Sequence, residues 1–145
     1  MPYNKSILLE KLKFRDLDFL IFNNEIIEKV FNNEIVFTLL NLSKNEILDF
    51  TSFFISAMGA TGLDEFDMQN SELILVDKDI MFKKIDDFKI LWKINIEIEK
   101  YINGEIQYVY EVNTNPDKQN YSSEISFIVE TTNSFIYFFT GHFNY

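Results

Sequence analysis

The sequence predicts an α+β fold in which an antiparallel β-meander packs on one main helix. Three observations support this class. Residues 89–113 alternate between apolar and polar side chains on both sides of an Asn-Gly pair, residues 44–58 carry an apolar stripe at helical spacing, and two further strand-like runs lie near 124–130 and 135–140. A chain of 145 residues fits one domain with a sizeable core, so we expect 1–145 to be a single α+β domain.

The 89–113 segment is predicted to form a hairpin around Asn103-Gly104, because period-two alternation is typical of a strand with one buried face. A two-residue turn would place the two apolar rows on opposite faces. We therefore expect a type I turn through Ile102-Asn103, followed by Gly104 in the left-handed conformation as a bulge. The apolar rows are Ile90, Trp92, Ile94, Ile96 and Ile98, then Ile106, Tyr108, Tyr110 and Val112.

The main helix is predicted near 44–58. Ser43 and Glu46 have the spacing of a capping box, and Gly59 fits a C-cap. Its apolar stripe would contain Ile47, Phe50, Phe54 and Met58.

Further short N-terminal elements complete the fold. The predicted elements are a short helix over 4–13 with Ile7, Leu8 and Leu12 inward, strands near 17–22, 25–31 and 34–41 (with helix as the open alternative), a strand at Glu72–Val76, and a short helix or strand over 79–88. The run Phe135–Phe139 is apolar at every position, which predicts a strand that is covered on both faces or has one face waiting for a partner.

Composition limits the classes of function. A net charge of −10 argues against nucleic acid and anionic membranes and favours a basic protein partner, or simple solubility. The chain has no cysteine and one histidine, so we expect no disulfide framework and no histidine-rich metal site. Charged residues interrupt the first apolar run, and no run reaches the ~20 residues that span a bilayer, so we expect a cytoplasmic protein.

Two groups of carboxylates are candidate partner-binding residues. In the predicted hairpin register, six glutamates point away from the core on one sheet face, which could either steer a basic protein or simply stay solvated. They are Glu97, Glu99, Glu105, Glu111, Glu124 and Glu130. A second acidic cluster comprises Asp64, Glu65, Asp67, Asp77 and Asp79.

The aromatic residues of the sheet suggest a further possibility. If they share one face, they form the core against the main helix, or they leave a cavity that admits an apolar ligand. The candidate cavity residues are Trp92, Tyr108, Tyr110, Phe127 and Phe54.

Motifs for catalysis or cofactors are weak. Asp77-Lys78-Asp79 lacks the spacing of a calcium loop, and Gly59 to Gly62 lacks the lysine of a P-loop. His142 stands alone as a candidate base. We therefore predict no catalytic residue, no metal site and no cofactor.

These features favour a small, acidic, non-enzymatic binding protein that engages a basic protein, of the inhibitor or immunity type. The analogy is one of composition, since compact acidic α+β proteins are common among bacterial immunity proteins and phage-encoded inhibitors. The alternatives are a carrier of a small apolar ligand and an enzyme that uses a pair of carboxylates. The oligomeric state is left open.

Overall fold

A computed structural model describes residues 4–14, 26–32, 34–47, 49–61, 65–113 and 121–143. In these ranges, six strands form one antiparallel sheet: β1 (Ile26–Phe31), β2 (Ile35–Ser43), β3 (Glu72–Val76), β4 (Ile106–Asn113), β5 (Tyr121–Thr131) and β6 (Ser134–Phe143). The helices are α1 (Lys5–Phe14), α2 (Phe50–Ala60), α3 (Glu65–Gln69) and α4 (Lys78–Trp92), and a 3₁₀-helix spans Ile98–Tyr101. The strand order is β1-β2-β6-β5-β4-β3, which confirms the predicted α+β class with an antiparallel sheet.

The sheet is buried on both faces. One face, here called the α2 face, packs on α1 and α2, and the other, the α4 face, packs on α4 and the chain that follows it. Along β6, Phe135 and Tyr137 belong to the α2 face, whereas Ile136 and Phe138 belong to the α4 face. Of the two alternatives predicted for Phe135–Phe139, the first, a strand covered on both faces, is therefore the one that the structure contains.

The predicted main helix is α2, but its start is different. Ser43 closes β2 opposite Ser134, and its hydroxyl accepts a hydrogen bond from the Asn45 N–H at 3.1 Å in the turn that follows. The cap of α2 is Asp49, whose carboxylate accepts the Ser52 N–H at 2.9 Å. The helix ends at Ala60 with Thr61 as its cap, so the capping box at Ser43 and the C-cap at Gly59 were wrong. Ser43 has the chemistry of an N-cap, but the β2 ladder extends to it.

The predicted first strand of the 89–113 hairpin is wrong. Residues 78–92 form α4, which begins at the Asp77 cap and buries Met81, Ile85 and Phe88 at helical spacing. Ile90, predicted to be buried, is 76% exposed. The second half of the prediction holds, because Ile106–Asn113 is β4, with β3 and β5 as its two neighbours.

The chain after α4 explains why the alternation was misleading. Lys93 ends the helix in the left-handed conformation, and the chain then runs back over the α4 face. Ile94, Ile96 and Ile98 are buried and the residues between them are exposed, so the period-two burial was right. Both lateral positions beside β4 are taken by other strands, so this extended segment covers the sheet without pairing in it.

Other elements follow the predictions closely. α1 buries Leu8 and Leu12, although Ile7 is exposed, and β3 spans the predicted Glu72–Val76. The strands near 25–31 and 34–41 are β1 and β2. The strand predicted near 17–22 lies outside the described residues. None of the described helices combines the length and apolar content that a bilayer crossing requires.

Candidate functional site

The six glutamates predicted to share one sheet face lie in three different places. Glu97, Glu99 and Glu105 are exposed on the connection between α4 and β4. Glu111 stands on the α4 face, and Glu124 and Glu130 alternate with Phe127 and Val129 and so stand on the α2 face. The predicted carboxylate-rich sheet face was wrong, because helices or the α4–β4 connection cover both faces of the sheet.

Two of these glutamates are neutralised within the chain. Glu111 Oε1 and Oε2 lie 2.7 and 2.9 Å from Lys84 Nζ on α4. Glu130 is buried, and its Oε2 lies 2.7 Å from Lys44 Nζ. These pairs tie a helix and a loop to the sheet, and the burial of Glu130 keeps its carboxylate away from a partner.

The pKa values of two other glutamates shift in opposite directions. A hydrogen bond from Lys100 and its positive charge lower the pKa of Glu97. Glu124 is exposed overall, but protein atoms displace part of the water around its carboxyl, and this desolvation raises its pKa. Both side chains are exposed, so both belong to the polar surface of the molecule.

Three loops meet at the end of the sheet where β4 begins. We call residues 43–46, 102–105 and 131–134 the loop cluster. The Lys44 N–H donates to the Asn133 carbonyl at 2.8 Å, and the Thr132 N–H donates to the Glu105 carbonyl at 2.9 Å. The Glu105 N–H in turn donates to Thr132 Oγ1 at 2.9 Å. Backbone bonds between segments that are distant in sequence therefore hold the loops in fixed positions.

Thr131 is the centre of the loop cluster and is fully buried. Its hydroxyl donates to the Asn103 carbonyl at 2.6 Å and accepts the N–H groups of Ser134 at 3.0 Å and Asn133 at 3.2 Å. A hydroxyl has one donor and two acceptor positions, so these bonds use all of them, and the Ser134 hydroxyl also lies 3.0 Å from Thr131 Oγ1. Thr131 thus closes the β5–β6 turn and anchors the 102–105 loop to it.

Gly104 lies where the 102–105 loop meets the 131–134 loop. Its φ is +93°, and a Cβ on it would stand 3.0 Å from Asn133 Nδ2 and 3.1 Å from Thr132 Oγ1. The expectation of a left-handed Gly104 is confirmed, although the loop joins a covering segment to β4 and not two strands of a hairpin. The backbone conformation therefore favours glycine, and any side chain at this position would also require Asn133 and Thr132 to shift slightly.

The outer surface of the loop cluster is polar and acidic. Lys44 is its only basic residue, and Glu130 neutralises that charge from below. Glu46 and Glu105 are exposed and form no ion pair among the described residues. The remaining exposed side chains are Asn45, Asn103, Thr132 and Asn133. Carboxylates and amides on a fixed frame are suited to accepting hydrogen bonds from Lys and Arg side chains.

The second predicted acidic cluster does not form one surface. Asp67 is only 2% exposed, so it does not face solvent. Asp77 caps α4 by accepting the Asp79 N–H at 2.9 Å, and Asp79 lies in the first turn, where a carboxylate favours the helix dipole. Asp64 and the side chain of Glu65 lie outside the described residues. Within the described residues no group of three acidic, histidine or cysteine side chains is placed to hold a metal ion.

The predicted ligand cavity was also wrong, because its residues lie on both sides of the sheet. Trp92 and Phe127 belong to the α4 side, whereas Tyr110 and Phe54 belong to the α2 side. Tyr108 is exposed at the edge of the α2 face. The rings pack on neighbours instead, for example Phe127 on Phe138 with centroids 5.5 Å apart.

A cleft of about 190 Å³ lies elsewhere, between the chain after α4 and the first two strands. It is flanked by two lysines and by Glu97, which pairs with Lys100, so its wall is too polar for the apolar ligand that was predicted. The cleft is lined by Lys29, Phe31, Phe37, Asn95, Ile96, Glu97, Lys100 and Tyr101.

His142 has a structural environment. Its ring stacks on Trp92 with centroids 4.1 Å apart and planes 6° apart, and its Nε2 lies 3.3 Å from Glu34 Oε2. The stack joins the end of α4 to β6 and the glutamate comes from the β1–β2 turn. Through these contacts His142 links the end of α4, β6 and the β1–β2 turn.

Sequence reasoning found part of this site and missed the rest. It identified Glu105, Gly104 and the turn at Thr132-Asn133-Ser134. It missed Thr131 as the buried centre and Lys44 as the partner of Glu130. The Thr-Thr-Asn-Ser run is a turn signal, but nothing local indicates that the turn meets residues 102–105.

Comparisons with protein-family models, with curated proteins and with solved structures find no match to this chain.

Proposed function

We propose that this chain is a small non-enzymatic binding protein, of the inhibitor or immunity type, that engages a basic partner protein through the loop cluster. The observation that carries the proposal is the pair of exposed, uncompensated glutamates, Glu46 and Glu105, on loops fixed by Thr131. This surface replaces the sheet face that the sequence suggested, and Glu105 is common to both.

Rigidity supports the proposal. A surface whose loops are already hydrogen-bonded to one another loses little conformational freedom on binding, so more of the contact energy appears as affinity. The side chains of Glu46 and Glu105 take no part in these bonds, because only the backbone groups of both residues do. The bonds that hold the loops in place are therefore separate from the two carboxylates that would contact the partner.

Charge supports it as well. A net charge of −10 attracts a basic protein over a distance of about a Debye length and speeds its approach. The three exposed amides of Asn45, Asn103 and Asn133 can then donate to and accept from the partner's backbone. Long-range attraction and short-range hydrogen bonding act at the same end of the molecule.

The test is an affinity capture from the source cell with two double variants. Glu46→Lys/Glu105→Lys reverses both charges of the loop cluster. Glu10→Lys/Asp86→Lys makes the same change in net charge at exposed positions on α1 and α4. We expect the wild type and the control variant to retain the same basic protein, and the loop variant to lose it.

Two outcomes would contradict the proposal. Retention of the partner by the loop variant would remove the loop cluster from the interface. An equal loss in both variants would show that overall charge, and no particular surface, governs capture. Thermal unfolding of each variant checks that the substitutions leave the fold intact.

A further inference from the structure

The outer edge of β3 is an open sheet edge within the part of the chain that the structure describes. β3 is the last strand of the sheet and pairs only with β4 among the described residues. No backbone hydrogen bond to Leu73, Ile74 or Leu75 from outside the sheet is formed within the described residues. Ile74 is 52% exposed and Leu75 is 51% exposed, so the edge is apolar as well as open.

The opposite edge of the sheet provides the contrast. β1 carries the exposed Lys29 in its middle, and a charged residue on an edge strand discourages other strands from pairing with it. The core of β3 is Leu-Ile-Leu-Val, with no charge, proline or glycine after Glu72. Soluble proteins rarely leave such an edge open, because any extended chain can pair with it.

The charge around β3 favours a second copy of this chain as the occupant. Residues 72–84, which form β3 and the first half of α4, contain three carboxylates and three lysines, so this stretch carries no net charge although the whole chain is at −10. Glu72 and Lys78 stand at the two ends of β3, and neither has an ion-pair partner among the described residues. An antiparallel copy brings each Glu72 towards the start of the other copy's α4, where the exposed Lys78 lies between Asp77 and Asp79 at the positive end of the helix dipole.

The sequence of β3 selects one register. When two β3 strands pair about Ile74, Ile74 lies opposite its own symmetry mate on the α4 face, and Leu73 lies opposite Leu75 on the α2 face. A shift in one direction would place Leu75 opposite Ser71, and a shift in the other would place Leu73 opposite Asp77. Among these three registers, only the one centred on Ile74 gives Leu73, Ile74 and Leu75 an apolar neighbour each.

We propose that two copies of this chain associate through antiparallel pairing of their β3 strands about Ile74, which joins the two sheets into one continuous sheet. The contact is isologous, and the backbone groups of the edge supply its hydrogen bonds. This surface is separate from the loop cluster, so the dimer and the proposed partner binding are independent of one another.

The test uses analytical ultracentrifugation of the full chain, at concentrations high enough to populate a dimer with a Kd of about 10 μM. We expect the wild type to sediment as a dimer. Ile74→Lys and Ile74→Glu, each alone, should sediment as monomers, because each places two like charges directly opposite one another. An equimolar mixture of the two variants should restore the dimer, because Lys then faces Glu.

Val30→Lys is the matched control. Val30 is 63% exposed on the other edge strand, so this variant adds the same charge to an edge residue of similar exposure and should remain dimeric. Leu75→Lys gives a second disruption if either Ile74 variant fails to fold.

A monomeric wild type would overturn the proposal, and the β3 edge would then be expected to pair with a strand of another protein. A dimer that survives Ile74→Lys would also overturn it. A mixture that stays monomeric would overturn the register centred on Ile74.

Discussion

Replacement of Thr131 by valine tests the hydrogen-bond network that holds the loop cluster. Valine shares the β-branched shape of threonine and lacks the hydroxyl, so the change removes the hydrogen bonds and keeps most of the packing. The Asn103 carbonyl loses its donor at 2.6 Å, and the N–H groups of Ser134 and Asn133 lose their acceptor. Thr131 is fully buried, so water is not expected to replace the hydroxyl without local rearrangement.

The magnitude follows from these three bonds. A typical hydrogen bond contributes about 1 kcal/mol net, and a buried group left without a partner costs about 1–3 kcal/mol. Two of the three partners lie at the edge of the cluster, where water can reach them in part after a small shift. We therefore expect a loss of about 2–4 kcal/mol in the free energy of unfolding.

Urea denaturation followed by tryptophan fluorescence provides the measurement. With a slope of about 2 kcal/mol/M, the midpoint should fall by about 1–2 M with little change in slope. Thr132→Val is the control: Thr132 bonds to the Glu105 backbone but is exposed, so water takes over and the loss should stay below about 1 kcal/mol. Equal losses in the two variants would refute the assignment of Thr131 as the buried centre.

Three further predictions concern single residues. Gly104→Ala should lower the free energy of unfolding by about 1–2 kcal/mol, because alanine is strained at φ +93°. The midpoint of thermal unfolding should fall by roughly 3–8 °C. An unchanged midpoint would contradict the positive φ. Lys44→Met should lower the free energy of unfolding by about 1–3 kcal/mol in urea denaturation, because it leaves the buried Glu130 carboxylate without its positive partner. The double variant Lys44→Met/Glu130→Met should recover part of that loss. If the double variant recovers nothing, the ion pair is not the source of the loss. For Asp49, desolvation raises the pKa, but hydrogen bonds from Ser52 and the charge of Lys11 outweigh it, so the pKa in the folded protein lies below the usual 3.8. The Asp49 carboxylate therefore stabilises the fold above that value and loses its contribution as the pH falls through the lowered pKa. The difference in urea midpoint between wild type and Asp49→Asn should accordingly shrink below about pH 4. A constant difference down to pH 2 would contradict this sign.

Local sequence patterns predicted most of the strands because their information lies within each strand. The run Ile125 to Val129 alternates with polar residues and became part of β5, and the uninterrupted apolar run Phe135–Phe139 became the doubly covered part of β6. Such patterns report which side chains are buried. They do not report which backbone lies beside the strand.

The error at residues 89–98 shows that limit. Alternation at Ile94, Ile96 and Ile98 indicated an extended chain with one buried row, and that is what the structure contains. The further step, that this chain pairs with β4, depended on an Asn-Gly signal and ignored β3, which occupies the position beside β4. Helical spacing of Met81, Ile85 and Phe88 was present in the sequence and extended further than the predicted short element.

The loop cluster could be predicted only in part. Gly104 carried a clear local signal, because Asn-Gly favours a left-handed residue. The contact of its loop with Thr131 and Thr132 joins segments 28 and 27 residues apart, and such contacts are decided by the arrangement of the whole sheet. The functional proposal therefore moved from a sheet face to a loop surface once the packing of both faces was known.

Hydrogen–deuterium exchange of the complex with the captured partner tests the binding surface most directly. Amides of the loop cluster, residues 43–46, 102–105 and 131–134, should exchange more slowly in the complex, while α1 and the exposed side of α4 should not change. Protection confined to other elements, with the loop cluster exchanging as in the free protein, would contradict the account.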